Sequence, residues 1–379
     1  MVSVKAAQTF IKERNLESII SLSIYFFVSL LFIIKYLNRL NPIYPILGSA
    51  FFLGFIFFLL KFKYFTRRNT ITLLILYSIF AGILVPIFFP VGSFNVDRWD
   101  MIEVYNNNLF HGRYPYDAIG QTSGNTPAQS PVYFILCLPF YLTKWYVGIP
   151  LAGIWVFYWA INRFSFITQK EKAILITLFS PFFIYETFTC SSIFFNSAII
   201  LLWVSYINNK MFILPKSLVI NGLIGGLLLC TRNCYIIPML IIGLTLLHRF
   251  ENKGAVIVWG LCILAGYILS ILPFVFGWGL DNWFQKNPFR VQSELILSVY
   301  CICVILLGSL FCGLVCRNLR EAIFSSGLCL FLAAFLTLGE TIYKFGFETS
   351  YLDSRFDITY LILGIPFLLC FVKTTEKYD

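Results

Sequence analysis

The chain has 379 residues, of which 59% are hydrophobic and only 12% are charged. A composition this apolar excludes an ordinary water-soluble surface, because the excess of apolar side chains has to face lipid. Lys and Arg outnumber Asp and Glu by 28 to 18. No basic patch with interleaved stacking aromatics stands apart from the apolar segments, however, so the basic charge does not indicate nucleic-acid binding.

Apolar segments recur along the whole chain. A bilayer core requires about 20 apolar residues per helix, and a backbone inside lipid must satisfy its own hydrogen bonds, so we expect these segments to be helices. They lack the alternation of β-barrel strands. The sequence therefore predicts an all-α polytopic transmembrane helical bundle of about 11–13 spans, in a single domain over residues 1–379 without a separate soluble domain. We place the spans near residues 19–37, 42–60, 71–89, 146–161, 173–187, 192–207, 217–230, 234–247, 255–276, 294–316, 322–341 and 358–372.

The positions of basic residues predict the orientation of the bundle. Lys and Arg near span ends collect on the cytoplasmic side of a membrane, and the clearest cluster is Lys61, Lys63, Arg67 and Arg68. With this cluster inside, the later basic clusters also fall inside. We expect a multi-pass plasma (inner) membrane protein with both termini in the cytoplasm and residues 91–144 in an external loop that contains short amphipathic helices.

The external loop begins with three acids, Asp97, Asp100 and Glu103. Their spacing would place them on one face of a helix. Carboxylates in such a position are suited to abstracting a proton from a substrate. The alternative is that Asp97 only caps a surface helix and that the acids lie near the positive end of its dipole.

The order of residues in this loop resembles a known family. The segment from Asp97 to Tyr116, in which Gly112 and the sequence RYPY follow the acid, is similar to the first external loop of the GT-C superfamily of membrane glycosyltransferases. Residues 180–202 and 227–241 resemble elements of its polyprenyl-phosphate-mannose-dependent mannosyltransferase branch. The likeness covers about the first two thirds of the chain. Three predicted spans precede the acidic loop where many relatives have one, and AQSP at 128–131 replaces a frequent paired-proline element.

The resemblance implies an inverting glycosyltransferase with its active site outside the cytoplasm. It would move a mannose-like hexose from a polyprenyl-phosphate-linked donor to a glycan, lipid or protein acceptor. The catalytic candidates are Asp97, as general base, and Asp100. The donor phosphate would need a cation, for which the candidates are Arg232, Arg290, Arg355 and Lys286, with Arg232 preferred because it lies at a turn between two apolar segments. The candidates for binding the acceptor or sugar are Glu103, Tyr114, Tyr116 and Glu186.

Metal and cofactor signals are sparse in the sequence. There are 2 histidines and 11 cysteines without a CxxC motif, so we expect neither a zinc nor a redox centre. Asp97 and Asp100 could hold a divalent cation only with further oxygen ligands. Two alternatives remain open: a polysaccharide polymerase of lipid-linked repeat units, and a lipid-linked oligosaccharide flippase or another transporter. A cavity lined by charges in external loops favours a transferase, and charges at the bilayer midplane favour a transporter.

Overall fold

The computed structural model describes residues 4–61, 65–93, 96–122, 124–207, 211–212, 214–288 and 298–373, with side chains from Leu16 onward. Every regular element in these ranges is helical. The 3-10 turns are Pro115–Asp117, Asn233–Tyr235 and Ile358–Ile362, and Glu348–Leu352 is a π-helical turn. The α-helices are α1 (Val4–Asn38), α2 (Tyr44–Lys61), α3 (Arg67–Phe88), α4 (Arg98–Phe110), α5 (Pro131–Thr143), α6 (Gly148–Arg163), α7 (Lys170–Leu178), α8 (Pro181–Phe188), α9 (Ile193–Val204), α10 (Pro215–Leu229), α11 (Ile236–Arg249), α12 (Lys253–Trp278), α13 (Leu280–Gln285), α14 (Val299–Val315), α15 (Leu319–Phe345) and α16 (Ile365–Leu369).

The structure confirms an all-helical membrane protein. Within the described ranges, 5 helices are long and apolar enough to cross a membrane, namely residues 16–38 of α1 and all of α2, α3, α12 and α15. The pair α8 and α9 would make a sixth, although its two helices are bent by 110° at the break between them. Several other predicted spans coincide with apolar helices of 10–17 residues, too short to cross alone when straight.

Proline explains why one predicted span is divided. The segment predicted at 173–187 is broken into α7 and α8 at Ser180 and Pro181. Proline has no backbone N–H to donate and favours the first turn of a new helix. The Ser180 hydroxyl caps α8 by accepting a hydrogen bond from the backbone N–H of Phe183 at 3.2 Å. The break leaves a helix end in the interior of the bundle, where polar side chains can be presented.

Helices α10 and α12 are held together by close backbone contact. A Cβ on Gly226 of α10 would lie 1.9 Å from the carbonyl oxygen of Ile263 in α12, and one on Gly266 would lie 2.2 Å from that of Leu223. Only glycine permits this approach of two helix backbones. Helix α1 is fixed differently, since the buried Tyr25 hydroxyl donates a hydrogen bond to the Ile176 carbonyl at 2.8 Å.

The predicted external loop is itself folded. Residues 91–144 contain α4, the 3-10 turn Pro115–Asp117 and α5. Helices α4 and α5 pack through Tyr105, whose ring stacks on that of Phe134 with centroids 3.6 Å apart. Both side chains are fully buried. The loop is therefore a packed helical layer on the bundle, in agreement with the short helices expected in it.

The basic clusters and this layer lie at different ends of the helices. Arg320, at the start of α15, is ion-paired with Glu17, and Arg249, at the end of α11, donates to the Cys316 carbonyl at 3.4 Å. Lys172 donates to the Leu60 carbonyl at 3.1 Å. The predicted orientation requires this separation. Which end faces the cytoplasm stays a prediction.

Cysteine accessibility tests the orientation. We expect a cysteine at Ile119, whose side chain is 65% exposed, to react with a membrane-impermeant maleimide in intact cells, because the loop is predicted to be external. The matched control is Glu251→Cys, at the exposed opposite end between α11 and α12, which should react only after lysis. The native chain, with its own 11 cysteines, gives the background. Labelling in the reverse order would contradict the predicted orientation.

Candidate functional site

A cavity of about 2000 Å³ lies where α1 and α15 end and the folded loop covers the bundle. One wall is apolar and is formed by three helices, with Phe32 from α1, Ile305 and Leu306 from α14, and Leu330 and Ala334 from α15. Further lining comes from α8, from the ends of α1 and α15, from residues 96–98, from the 122–129 loop, from the turn before α11 and from residues 354–360. The cavity therefore joins an apolar wall to a polar region built from helix ends and loops.

The polar region is rich in charge. Nine described Lys, Arg, Asp and Glu side chains line the cavity. Six are basic, namely Lys35, Arg39, Arg98, Arg232, Lys344 and Arg355, and three are acidic, namely Asp97, Glu340 and Asp357. Three of the residues predicted from the sequence, Asp97, Arg232 and Arg355, are thus brought together. They are far apart in the sequence, since Asp97 and Arg355 are separated by 258 positions.

Asp97 precedes the first residue of α4. Its carboxylate accepts a hydrogen bond from the amide nitrogen of Asn125 at 3.1 Å and makes no capping hydrogen bond to α4. The interpretation of Asp97 as a helix cap is therefore wrong for its side chain, although the residue occupies the cap position. No described basic side chain lies within salt-bridge distance of it. The carboxylate is half-buried and lines the cavity.

Arg98, the next residue, is bound on one side only. Its guanidinium pairs with Asp357 at 2.5 Å and donates to the Thr359 hydroxyl at 2.8 Å. Burial alone would raise the pKa of Asp357, but the Arg98 charge and hydrogen bonds from Thr359 and Arg98 outweigh it, and the pKa lies below its ordinary value. Asp357 is therefore ionised at neutral pH and serves as the counterion of Arg98.

Three buried polar atoms in the cavity lining have no hydrogen-bond partner in the part of the chain that the structure describes: Nε of Arg232, Nη1 of Arg98 and Oε1 of Gln129. The Arg232 guanidinium lies 5.7 Å from the ring centroid of Tyr360, and its Nε stays without a described partner beside this ring. Unpaired buried donors are costly and uncommon in native proteins. Two guanidinium groups thus present unpaired N–H donors at the cavity.

Of the two remaining candidate arginines, Arg355 lies within the described residues. Arg355 lines the cavity, and its guanidinium stacks on the Phe345 ring at 3.6 Å from the centroid. It is exposed to solvent. Arg290 lies outside the described residues, so its expected contact with the donor phosphate stays a prediction.

The other two acids at the start of the loop, Asp100 and Glu103, do not line the cavity. Asp100 is 1% exposed and accepts a hydrogen bond from the backbone N–H of Thr122 at 2.8 Å. Glu103 pairs with Lys144 at 2.5 Å and accepts a hydrogen bond from the Tyr146 hydroxyl. Asp97 precedes α4 and the other two acids lie in it, but the three do not share one site, because each contacts a different neighbour.

The predicted sugar-binding tyrosines hold the loop layer together. The Tyr114 hydroxyl donates to the backbone carbonyl of Lys286 at 2.7 Å, and the Tyr116 hydroxyl donates to that of Gln129 at 3.1 Å. The ammonium group of Lys286 pairs with Asp117 at 2.6 Å. None of Tyr114, Tyr116 and Lys286 lines the cavity.

Glu186 is fully buried behind the cavity wall. Its carboxylate accepts hydrogen bonds from the Ser191 hydroxyl and from the backbone N–H of Phe194, the latter at 2.8 Å. It caps the start of α9 after the bend from α8. Glu186, a candidate for binding the acceptor or sugar, does not line the cavity, whereas its neighbour Tyr185 does.

Metal ligands do not cluster in the described part of the chain, where no group of three His, Cys, Asp or Glu residues is placed to hold an ion. Asp97 and Asp100 bind different partners in the 122–125 loop.

Three important lining residues were not among the candidates from the sequence. Lys35 lies inside the apolar segment predicted as the first span, and a charge in such a segment is a signal of function that could have identified it. Arg98 stands directly beside Asp97, and Asp357 stands two residues after Arg355. Nothing local in the sequence indicates that Arg98 and Asp357 meet across the fold.

The ion pair can be tested through stability. We expect Arg98→Gln to lower the free energy of unfolding by about 2 kcal/mol, because hydrogen bonds to charged groups contribute about 1.5–3 kcal/mol and the Arg98 side chain is only 12% exposed. The measurement is the thermal midpoint of the purified chain in detergent. The control is Lys344→Gln, which removes another lining pair whose Lys is 49% exposed and should shift the midpoint far less. Equal shifts would contradict a structural role for the Arg98 pair.

Comparison of this chain with known protein families, with curated proteins and with solved structures found no match. The function is therefore inferred from the cavity, which combines unpartnered guanidinium N–H groups, a carboxylate outside any described ion pair and an apolar wall.

Proposed function

We propose that the protein is a membrane glycosyltransferase that moves a hexose from a polyprenyl-phosphate-linked donor to an acceptor hydroxyl on the non-cytoplasmic face. The observation that carries this proposal is that one cavity contains Asp97, the unpaired donors of Arg232 and Arg98, and a long apolar wall. A lipid-linked sugar phosphate has the same three parts: a reacting sugar, an anionic phosphate and an apolar tail.

The donor phosphate is assigned to Arg232. Its buried Nε has no partner among the described residues, and a phosphodiester oxygen would satisfy it. A guanidinium presents its donors in a planar fork that matches phosphate oxygens. Arg98 Nη1 offers a second unpaired donor in the lining of the same cavity. The polyprenyl tail would then run along the wall formed by α1, α14 and α15.

Asp97 is assigned as the general base. Its carboxylate takes the proton of the acceptor hydroxyl while the hydroxyl oxygen forms a bond to the anomeric carbon of the sugar. The bond from that carbon to the phosphate oxygen breaks, and polyprenyl phosphate leaves with the electron pair. Attack from the face opposite the phosphate inverts the anomeric configuration. Asn125, which donates to the carboxylate, holds the base in place and leaves its other oxygen for the substrate.

The finer architecture belongs to the same proposal. We infer that the apolar helices of 10–17 residues pair or tilt to complete a GT-C-type bundle of about 11–13 spans. The bundle lies in the plasma membrane, and both termini are in the cytoplasm. The position of the charged lining at helix ends and in loops supports a transferase rather than a transporter, whose charges are expected near the midplane.

Asparagine substitution of the two neighbouring acids tests the base. We expect Asp97→Asn to reduce sugar transfer by about a hundredfold or more, because the amide keeps the size of the side chain but cannot accept a proton at neutral pH. Asp100→Asn is the matched control. Its amide oxygen can still accept the Thr122 N–H, so transfer should fall much less. The measurement is transfer from a panel of radiolabelled polyprenyl-phosphate hexoses into material extracted from the producing membranes.

Both variants should be monodisperse in detergent, which separates folding from activity. If Asp97→Asn transferred sugar like the native chain while Asp100→Asn did not, the base would be Asp100. If both variants transferred normally, the loop would not be catalytic and the proposal would lose its main support.

A further inference from the structure

Lys35 is the most buried cation in the cavity lining. It exposes 1% of its surface, yet its ammonium group makes no hydrogen bond and no salt bridge with a residue that the structure describes. Its nitrogen lies 5.9 Å from the ring centroid of Tyr36 and 5.6 Å from that of Tyr351. The two rings provide a weak, electron-rich surrounding. They do not supply the hydrogen-bond acceptors that an ammonium group requires.

The acids near Lys35 do not neutralise it. Asp357 and Asp353 act on it electrostatically, but neither lies within salt-bridge distance, and Asp357 is already the partner of Arg98. A buried charge without a partner is strongly unfavourable, and inside a membrane such residues are kept where they meet a substrate or an ion. The described part of the chain therefore supplies no anion for the ammonium group of Lys35.

The charge balance of the cavity indicates the same deficit. Of its six basic residues, Arg98 and Lys344 are paired with Asp357 and Glu340. Four remain, and among the described lining residues Asp97 is the only acid outside these pairs. The donor of the proposed reaction is a phosphodiester, which brings a single negative charge. Even with Asp97 ionised and the donor bound, two positive charges would have no counterion.

The cations also differ in location. Arg232 lies against Tyr360, in the turn before α11. Lys35 lies near the end of α1, and Arg39 follows one turn later, where its guanidinium donates to the Leu352 carbonyl at 2.8 Å. The uncompensated charge is thus concentrated on the side of the cavity formed by α1 and residues 351–355.

We propose that Lys35, assisted by Arg39, binds an anionic group of the second substrate, so that the acceptor carries a phosphate or a carboxylate. That the bound anion belongs to an acceptor rests on the proposed function, whereas the anion site itself rests only on the lining. Two sources fit this chemistry: the diphosphate of a lipid-linked saccharide and the carboxylate of an acidic sugar. In either case the apolar wall and Arg232 remain available to the donor.

Equilibrium binding to the purified full chain in detergent tests the site. The probes are farnesyl diphosphate, a hexuronate disaccharide, and a farnesyl phosphohexose that represents the donor phosphodiester. We expect Lys35→Met to weaken binding of at least one of the first two probes by about tenfold or more, because a charge-assisted hydrogen bond is lost. Binding of the phosphohexose should change by less than about twofold. Lys35→Arg, which keeps the charge, should retain most of the affinity.

The matched control is Lys344→Met, which removes a lining lysine that already has a partner in Glu340 and should leave the affinity for the anionic probes unchanged. A loss confined to farnesyl diphosphate identifies a lipid-linked acceptor, and a loss confined to the hexuronate identifies an acidic glycan. If Lys35→Met is not monodisperse, Lys35→Gln takes its place.

Three results would overturn the inference: no binding of either anionic probe by the native chain, unchanged binding by Lys35→Met, or a loss confined to the phosphohexose, which would place Lys35 at the donor phosphate. Failure of the proposed function looks different. In that case the native chain would not bind the phosphohexose but would still bind an anionic probe through Lys35.

Discussion

The ion pair between Arg98 and Asp357 joins parts of the chain that are 259 residues apart and holds the cavity in its form. It ties the start of α4, and with it the external layer, to the segment between α15 and α16. Because Asp97 immediately precedes Arg98, the same contact places the carboxylate at the cavity. Asp357 and Arg98 also act electrostatically on both Lys35 and Tyr360. The pair therefore lies close to the proposed base Asp97, to Lys35 of the second anion site, and to Tyr360, whose ring faces the Arg232 guanidinium.

Three acids at the start of one short helix, Asp97 before it and Asp100 and Glu103 in it, have different roles because their partners outside the helix differ. Asp97 contacts the side chain of Asn125, Asp100 is buried against a backbone N–H, and Glu103 is neutralised by Lys144. Only Asp97 is left facing the cavity. The same residue type has three roles here because burial and available donors differ, and neither can be read from the spacing of the acids in the sequence.

The helical class and the separation of loop and basic clusters could be predicted from the sequence, because they follow from apolar length and the distribution of charge. Asp97 and Arg232 could be chosen because each stands where an apolar segment meets a turn. The contact between Arg98 and Asp357 could not, since long-range pairing leaves no local pattern. The roles of Tyr114 and Tyr116 could not be predicted either, because their hydroxyl groups donate to the backbone carbonyls of Lys286 and Gln129, respectively. Lys35 could have been identified as a candidate, because it is a charged residue within an apolar segment.

The central claim is that the cavity binds a lipid-linked sugar phosphate with the phosphate at Arg232 and the sugar at Asp97. An experimental structure of the purified chain with a non-transferable polyprenyl-phosphate sugar analogue tests it most directly. The account predicts phosphate oxygens within hydrogen-bond distance of the Arg232 guanidinium, the lipid tail along α1, α14 and α15, and the anomeric carbon facing the side of the cavity where Asp97 lies. An analogue bound outside this cavity, or bound in it with its phosphate away from Arg232, would contradict the account.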